Sequence, residues 1–464
     1  MEKNIKAIII SHKDSIRKAM EVIDETGFRC VLVVDANGFL SGIITDGDIR
    51  KHILKGINLN LSVKIIMNTH PLVLREGYSL REAEQIMIKN SIVLIPIVDQ
   101  HNKVIDYLHL PDVISELEKN GLLHRNKRDA HDIRKVLVIG GAGYIGSVLV
   151  RRLMEEGYKV RVMDILLYGD ESIKELYQNE NFEFIRGDCR NMQDVIRAFK
   201  DVDAVVHLGE IVGDPACSLN PDFTIEVNYM ATKTLAEACC YCGIRRFIFS
   251  SSCSVYGAND SQLSEESALN PVSLYARCKV ESERAILAIK DDYFSPVILR
   301  LATVYGLSYR PRFDLVVNLL TAKAVIEKKI KIFGGEQWRP FVSINDAADA
   351  ILCILRAEDR IVKREIFNIG SNEQNYKLHV IGELIKKALP DIDVGIIKDN
   401  IDKRNYRVKF DKLTNSMGFK CKDRIIDEIV KMKEYILNSM AIDINDSRFN
   451  NYKTFINTEV NQEA

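Results

Sequence analysis

The 464-residue chain lacks an excess of charge of either sign: 64 basic residues balance 65 acidic ones, and the formal net charge is -1 at pH 7. No overall field therefore draws nucleic acid or an anionic membrane to the protein. No apolar run reaches the length of a membrane span, and no signal peptide opens the chain. We expect a cytoplasmic protein with no nucleic-acid and no membrane partner.

The ten cysteines lack the spacing of a metal site. Cys239, Cys240 and Cys242 cluster, but they lie in a helix-like stretch and have no second pair of ligands nearby in sequence. We expect structural thiols in a reducing compartment and no bound metal.

The first quarter of the chain is an internal repeat, and the length favours at least two domains. Each unit is predicted as helix, strand, turn, strand, helix, with Ser15 and Ser79 where helix N-caps belong. A shift of 64 residues, without a gap, aligns segments 15–19 with 79–83, 32–35 with 96–99, and 47–49 with 111–113.

This repeat resembles a tandem pair of cystathionine-β-synthase (CBS) domains, which we expect to form a domain over residues 1–120. The resemblance rests on the segment Gly-Ile-Ile-Thr-Asp-Gly-Asp-Ile at 42–49. It implies that Thr45 and Asp48 contact the phosphate and ribose of an adenine nucleotide such as AMP or ATP. The second unit keeps Asp112 but has His109 where the hydroxyl belongs, so at most one well-formed site is implied. The alternative is a pair that only assists dimerisation.

Two polar segments flank the rest of the chain. Residues 121–133 are basic and aperiodic and are interpreted as a linker, and the Asn-rich residues 441–464 as a mobile tail. Between them, predicted strands alternate with predicted helices, which indicates a parallel sheet covered on both faces. The predicted elements are 136–139, 145–156, 159–164, 194–199, 204–208, 232–242 and 247–251.

A glycine-rich turn follows the first of these strands. Gly140, Gly143 and Gly146 let the backbone bend sharply and approach a pyrophosphate, whose charge the following helix N-terminus favours. Asp164 ends the next strand about twenty residues later, where a carboxylate accepts hydrogen bonds from a ribose diol. It would also repel a 2′-phosphate, so the pattern predicts NAD rather than NADP.

Three side chains further along are suited to proton transfer. Tyr275 and Lys279 share one face of a predicted helix over 272–288, and Ser252 ends a predicted strand. A phenol with a pKa near 10 is a poor base at neutral pH, but a nearby ammonium and the positive nicotinamide lower that pKa. Tyr275 can then take a proton from a substrate hydroxyl as hydride leaves the same carbon, while Ser252 hydrogen-bonds the oxygen. We predict these three as catalytic residues.

With these motifs in place, residues 134–440 resemble the extended short-chain dehydrogenase/reductase family, in its NAD-dependent nucleotide-sugar epimerase/dehydratase branch. Further matches lie at 187–190, 207–209, 299–306 and 335–342. The resemblance implies an α/β fold: a Rossmann-type doubly wound parallel sheet with a small C-terminal substrate lobe, preceded by the α/β CBS-domain pair. It also implies a homodimer or higher homo-oligomer and a role in cell-surface polysaccharide biosynthesis.

The resemblance also carries residues over to the two ligands. Beside the three glycines and Asp164, the implied cofactor residues are Tyr144, Ile145, Asp188, Cys189, Leu208, Gly209, Asn228 (the family's buried structural Asn), Tyr275 and Lys279. The implied residues for a nucleoside-diphosphate sugar are Ser254, Thr303, Arg339, Arg404 and Arg407, of which Arg339 grips the diphosphate. Pro340 and Thr303 depart from the family's usual Asp and Asn.

The neighbours of the catalytic set discriminate among the family's reactions. Sugar 4,6-dehydratases place Asp-Glu where this chain has Cys253 and Ser254, and uronate decarboxylases place Glu at the second position. Asp164 disfavours a reductase that consumes NADPH. The leading hypothesis is an NAD-dependent nucleotide-sugar epimerase, at C4, which works through a transient keto sugar. Glu210 and Asp214 either tune specificity, act as a second acid/base, or are polar groups of a loop.

Two other functions stay open at this stage. One is a net NAD-dependent dehydrogenase or reductase of a nucleotide sugar, or a dehydratase. The other is a non-catalytic sensor of NAD and adenine nucleotides.

Overall fold

The computed structural model describes residues 5–26, 28, 30–45, 48–49, 52, 58–90, 92, 94–120, 133–398, 404–439 and 443–460. The chain divides into two compact units, Met1–Lys127 and Arg128–Ala464. The division falls inside the segment interpreted as a linker, of which residues 121–132 lie outside the described part of the chain.

The first unit contains two copies of one motif, as the repeat predicts. Its strands are β1 (Ile9–Ser11), β2 (Cys30–Val34), β3 (Leu40–Thr45), β4 (Leu74–Arg75), β5 (Leu94–Val98) and β6 (Val104–His109), and its helices are α1 (Ile16–Thr26), α2 (Leu80–Lys89) and α3 (Leu110–Lys119). Each copy forms a three-stranded sheet in which the first strand runs parallel and the third antiparallel to the middle strand.

The strand register repeats as well. Cys30 pairs with Thr45 in the first copy, and Leu94 pairs with His109 in the second, at positions that the 64-residue shift relates. Both pairs of strands also carry an irregularity one step before the middle strand ends. The middle strand is buried throughout in both copies, and the same register gives the same sheet, which confirms the repeat.

The second unit is built on a seven-stranded parallel sheet. The strands of the whole second unit, in the large sheet and in the smaller ones, are β7 (Lys135–Ile139), β8 (Lys159–Asp164), β9 (Phe182–Arg186), β10 (Ala204–His207), β11 (Arg246–Ser252), β12 (Ala258–Leu263), β13 (Ser295–Leu301), β14 (Thr303–Tyr305), β15 (Lys329–Phe333), β16 (Trp338–Ser343), β17 (Ile366–Ile369), β18 (Asn375–Lys377), β19 (Asp393–Ile397) and β20 (Asn405–Val408). The order in the large sheet is β17-β13-β11-β10-β7-β8-β9. The strand order reverses beside β7, as in doubly wound nucleotide-binding sheets.

Helices cover both faces of this sheet. The helices of the whole second unit are α4 (Tyr144–Glu155), α5 (Met192–Phe199), α6 (Asp214–Leu219), α7 (Pro221–Ile225), α8 (Thr232–Tyr241), α9 (Leu274–Ala288), α10 (Val316–Glu327), α11 (Ile344–Arg356), α12 (Asp359–Val362), α13 (Leu378–Ala388), α14 (Asp411–Met417), α15 (Ile425–Asn438) and α16 (Asn451–Val460). One core lies between the sheet and α4 with α11, and another between the sheet and α5, α8 and α9. The predicted α/β class and doubly wound sheet are confirmed.

A smaller lobe follows the large sheet. The strands β14, β16 and β18 form one small sheet, while β15 pairs with β19 and β12 with β20. A third core packs α10, α13 and α15 together around Tyr305, Phe341 and Ile429.

The C-terminal residues differ from the expected mobile tail. Residues 443–460 include α16, whose Phe455 is buried against Ile211, Ala216 and Cys217 of the second unit. The tail is polar on average, but Phe455 joins this cluster, and Ile444 and Phe449 pack into the core of the smaller lobe. Among the described residues, no helix is long and apolar enough to cross a membrane.

Candidate active site

A cavity of about 240 Å³ lies at the carboxyl ends of β7, β10 and β11. Gly140, Leu208 and Ser252, which end or follow these three strands, all line it. This edge, where the strand order reverses, is the usual ligand site of an open parallel α/β sheet.

The glycine turn shapes one wall of the cavity. Gly140 has a φ of +81°, and a Cβ there would lie 2.6 Å from the backbone nitrogen of Gly209. A Cβ on Gly146 would collide with the carbonyl oxygen of Gly140. Gly143 caps α4 without any side-chain hydrogen bond, so the helix N-terminus faces the cavity with open N–H groups. This cradle fits a dinucleotide pyrophosphate.

Asp164 lies behind the turn rather than in the cavity lining. Its carboxylate accepts hydrogen bonds from the backbone N–H groups of Ala142 at 3.0 Å and Leu166 at 2.8 Å. Burial raises the pKa of Asp164, and these two N–H groups and the charge of Arg310 oppose that shift. Its carboxylate therefore stabilises the conformation of the glycine turn. The sequence predicted a contact with the ribose and did not predict this structural role.

Arg310 is a cavity residue that the sequence analysis missed. Its guanidinium lies 3.7 Å from the ring centroid of Tyr168, and both residues line the cavity. Its Nε and Nη2 are buried and have no hydrogen-bond partner within the described residues. Burial lowers the pKa of Arg310 to about 10. No motif marked this arginine, because only the fold brings it to the cavity.

Ser252, Tyr275 and Lys279 all line the cavity, as their predicted roles require. Ser252 ends β11, and the other two lie one turn apart on α9, whose N-terminus is capped by the Ser273 side chain. Burial and the negative charge of Glu210 raise the pKa of Tyr275 well above 10, while a hydrogen bond with Ser252 opposes this shift.

Lys279 is paired differently from the expectation. Its ammonium donates hydrogen bonds to the Glu210 carboxylate and to the Ser250 carbonyl oxygen. The side chains of Lys279 and Glu210 are each 2% exposed. In this structure a buried carboxylate compensates the ammonium charge. The expectation that Lys279 lowers the pKa of Tyr275 stays a prediction.

Asn228 fixes the backbone next to the ion pair of Lys279 and Glu210. Its side-chain oxygen accepts from the N–H of Ile211 at 2.8 Å, and its amide donates to the carbonyl of the same residue at 2.7 Å. Asn228 is fully buried and does not line the cavity. Both halves of its amide are used by the residue after Glu210, so Asn228 forms a clamp, as the family's buried structural Asn would. Its assignment as a cofactor residue stays a prediction.

Two of the implied cofactor residues, Asp188 and Cys189, lie outside this cavity. Asp188 forms an ion pair at 2.6 Å with Arg190, which also contacts Glu226 at 3.2 Å. Cys189 is partly buried, and burial raises the pKa of its thiol to about 12. Of the implied segment 208–209, Leu208 lines the cavity and Gly209 packs against the turn.

On the substrate side, Ser254, Thr303 and Arg404 line the cavity. The Ser254 hydroxyl is buried and without a hydrogen-bond partner in the described structure. The guanidinium of Arg404 forms an ion pair with Asp214 at 2.9 Å, and this ion pair fixes the side chains of both cavity residues.

Arg339 and Arg407 do not line the cavity. The buried guanidinium of Arg339 donates to the carbonyl oxygens of Trp338, at 2.8 Å, and of Arg404. Arg407 donates to the Asp260 carbonyl at 3.2 Å and lies 5.2 Å from the Trp338 ring centroid. These contacts order the backbone at Trp338 and Arg404. The expectation that Arg339 grips a diphosphate stays a prediction.

The first unit holds the candidate regulatory residues. The Thr45 hydroxyl donates to the Asp48 carboxylate at 2.7 Å, and the Thr45 N–H donates to the same oxygen at 2.9 Å. Both contacts are solvent-exposed. Asp112 lies in the first turn of α3. Throughout the described residues, no group of three or more potential ligands could hold a metal ion.

Comparison with known proteins matches each of the two units to a protein family. A model of the NAD dependent epimerase/dehydratase family matches residues 136–370, about half of the chain, and a CBS-domain model matches residues 1–55 and 63–119. A Methanocaldococcus jannaschii protein described as a putative UDP-glucose 4-epimerase is 29% identical over 311 residues, which span 66% of this chain and 99% of the relative.

Solved structures show the same fold for the second unit. UDP-glucuronic acid 4-epimerase from Bacillus cereus, in complex with UDP-glucuronic acid and NAD, is 28% identical with a TM-score of 0.58 and covers 65% of this chain and 99% of its own. MoeE5 in complex with UDP-glucuronic acid and NAD is 27% identical with a TM-score of 0.58 and covers 66% and 100%. The chain therefore belongs to the NAD-dependent epimerase/dehydratase family of enzymes and carries a tandem pair of CBS domains before that domain.

Proposed function

We propose that this chain is a nucleotide-sugar epimerase that inverts C4 of a nucleoside-diphosphate sugar through a transient keto sugar, with Tyr275 as the acid/base. The observation that carries the proposal is the convergence of Ser252, Tyr275 and Lys279 on one cavity beside the glycine turn. The proposed position follows from the similarity to two proteins described as 4-epimerases.

The residue after Ser252 favours epimerisation over dehydration. Cys253 is buried, and its thiol donates to the carbonyl oxygen of Arg300 at 3.2 Å, so no carboxylate stands there to assist elimination. The next residue, Ser254, brings a hydroxyl to the cavity where a decarboxylase would need Glu.

NAD, when bound, supplies a reversible hydride acceptor. The residues that would hold it are those of the turn and the cavity beside it: Gly140, Gly143, Tyr144, Ile145, Gly146, Leu208, Tyr275 and Lys279. The open N-terminus of α4 would face the pyrophosphate, as the cradle described above requires.

The protein's own part of the chemistry is to hold and move one proton. Ser252 hydrogen-bonds Tyr275, so the two side chains can share the oxygen of the reacting sugar carbon. Tyr275 takes the hydroxyl proton from this oxygen and returns it after the sugar has turned, so the cycle consumes no net proton. The product is a sugar nucleotide, the type of donor that the expected role in cell-surface polysaccharide biosynthesis requires.

The test is incubation of the full chain and NAD with UDP-glucose, UDP-glucuronic acid and GDP-hexoses, followed by NMR of the sugar ring protons. We expect one substrate to reach a mixture of two C4 epimers without accumulation of NADH. Steady formation of NADH would instead identify the net dehydrogenase, and loss of water from the sugar would identify a dehydratase. A chain that binds NAD and converts no sugar would favour the sensor.

For the first unit we propose an adenine-nucleotide site at Thr45 and Asp48. The support is the CBS match together with the exposed hydrogen bonds between these two residues. Titration calorimetry of the full chain with AMP and with ATP should show binding that Asp48→Ala weakens and that Glu82→Ala, at an exposed residue of α2, leaves unchanged. Absence of heat with either nucleotide would leave the dimerisation role as the alternative.

We also propose that the chain forms a homodimer and works in the cytoplasm. All ten cysteines are free, as a reducing compartment requires. Light scattering on a size-exclusion column measures the mass directly, and a value near 52.8 kDa would contradict the dimer.

A further inference from the structure

The ion pair between Glu210 and Lys279 is buried in the wall of the cavity. Both side chains are 2% exposed, and the ammonium also donates to the carbonyl oxygen of Ser250. A buried ammonium needs a counter-charge, and Glu210 is the carboxylate that hydrogen-bonds it. The clamp formed by Asn228 on Ile211 fixes the backbone next to this carboxylate.

The same ammonium lies close to the phenol of Tyr275. Its nitrogen is 5.5 Å from the Tyr275 ring centroid and 4.6 Å from that of Phe249. In such apolar surroundings a single charge acts strongly on a neighbouring group. Whether Lys279 stabilises a phenolate at Tyr275 therefore depends on how far Glu210 cancels its charge.

Other groups that face Tyr275 come from α6. Asp214 is partly neutralised by Arg404 at 2.9 Å, and burial raises the pKa of the Cys217 thiol, which keeps it uncharged. Burial lowers the pKa of His207, which ends β10 three residues before Glu210, to about 3, so this imidazole is neutral as well. Glu210 is thus the strongest negative influence on the phenol, ahead of Asp214.

We propose that Glu210 is a positioning residue that neutralises Lys279 beside Tyr275 and so sets the pH at which Tyr275 gives up its proton. The proposal depends on the proposed function in one respect, which is the assignment of Tyr275 as the base. It assigns to this buried carboxylate control over how readily the base forms.

Glu210→Gln removes the charge and keeps the shape of the side chain. The Lys279 ammonium is then uncompensated, and ionisation of Tyr275 becomes the nearest source of a counter-charge. We expect the pH midpoint of Tyr275 ionisation to fall by about one unit or more. Glu210→Asp retains the charge and should give a midpoint closer to that of the unchanged chain.

The experiment is an NMR titration of the full chain labelled with ¹³C at the phenol carbon of tyrosine, without substrate. The chain has 17 tyrosines, and the signal of Tyr275 is assigned as the one that Tyr275→Phe removes. The matched control is Glu281→Gln, which removes a negative charge from the 50%-exposed side chain on the same helix and should not move the midpoint.

A downward shift in Glu210→Gln alone supports the proposal, and an unchanged or higher midpoint overturns it. If that variant does not fold, Glu210→Ala replaces it, because it also removes the carboxylate charge and leaves Lys279 in place, and its midpoint should fall as well. A lack of any fall would equally overturn the proposal. Because no substrate is present, these results do not depend on the sugar assays that test the proposed function.

Discussion

The side-chain amide of Asn451 donates a hydrogen bond to the carbonyl oxygen of Val212 at 3.0 Å, across 239 positions of the sequence. The backbone N–H of the same residue donates to the Asp314 carboxylate at 3.0 Å. Asn451 lines the cavity, and its side-chain oxygen is buried with no hydrogen-bond partner elsewhere in the described structure. The C-terminal segment therefore contributes a polar group to the candidate active site.

Asn451→Ala should weaken binding of the nucleotide sugar and leave NAD binding intact. The change removes the bond to Val212 and an acceptor in the cavity, so we expect a KM about tenfold higher, equivalent to roughly one lost hydrogen bond. Steady-state kinetics measure this, with Tyr452→Phe, an exposed change on the same helix, as the control. An unchanged KM would show that Asn451 does not contact the sugar.

Tyr275→Phe should abolish turnover, because it removes the only proposed proton acceptor while retaining the ring. General acid–base catalysis typically contributes about 10²- to 10⁴-fold, so a loss of at least this size is expected. NAD binding, followed by calorimetry, should change little. A variant that retains substantial turnover would show that another group is the base.

Gly146→Ala should impair NAD binding and destabilise the second unit. Its Cβ would collide with the carbonyl oxygen of Gly140 and approach Gly141 to 2.7 Å, so the turn must open. The expected cost is about 1–3 kcal/mol in the free energy of unfolding, typical of overpacking. In the control Gly395→Ala the nearest atom is 3.9 Å away, and this variant should unfold and bind NAD like the unchanged chain.

Arg310→Met should lower the affinity for NAD. The guanidinium is buried in the cavity wall next to Asp164, and its open donors suit an anionic ligand. We expect a Kd about tenfold higher, corresponding to the loss of a charge-assisted hydrogen bond. Arg360→Met, a change at a side chain that is 78% exposed, is the control. Equal Kd values for the two variants would place the pyrophosphate away from Arg310.

His207 should make the second unit lose stability in mild acid. Burial lowers its pKa from 6.5 to about 3, so below pH 6.5 the unfolded chain binds a proton that the folded chain does not. Stability is therefore full above pH 6.5 and falls as the pH decreases, by about 2 kcal/mol at pH 5.

Urea unfolding followed through the single tryptophan, Trp338, measures this at pH 7.5 and pH 5. His207→Gln should show a smaller loss of stability between the two pH values, whatever its stability at pH 7.5. His379→Gln, at a partly exposed histidine, is the control. Equal losses in all three chains would contradict the assignment.

The local features of the site could be predicted from the sequence because each depends on neighbours along the chain. The glycines must bend one turn, and Tyr275 and Lys279 lie on one helix face whatever surrounds them. The carry-over of Arg339 and Asn228 as ligand contacts stays a prediction. Neither residue lines the cavity, and Arg339 hydrogen-bonds the backbone of Arg404 while Asn228 hydrogen-bonds that of Ile211. Arg310 and Asn451 were missed because no local pattern distinguishes them from surface residues.

The amino-acid sequence by itself determined the repeat, the parallel sheet and the glycine turn, because these follow from periodicity and from short-range backbone geometry, and it supplied the motif from which the catalytic set is proposed. Only the tertiary structure decided the electrostatics of that set. Lys279 lies on a helix, and its partner Glu210 follows the end of a strand 69 positions earlier in the chain. Both side chains are buried. Charge compensation depends on distance and burial in three dimensions, and neither can be read from spacing along the chain.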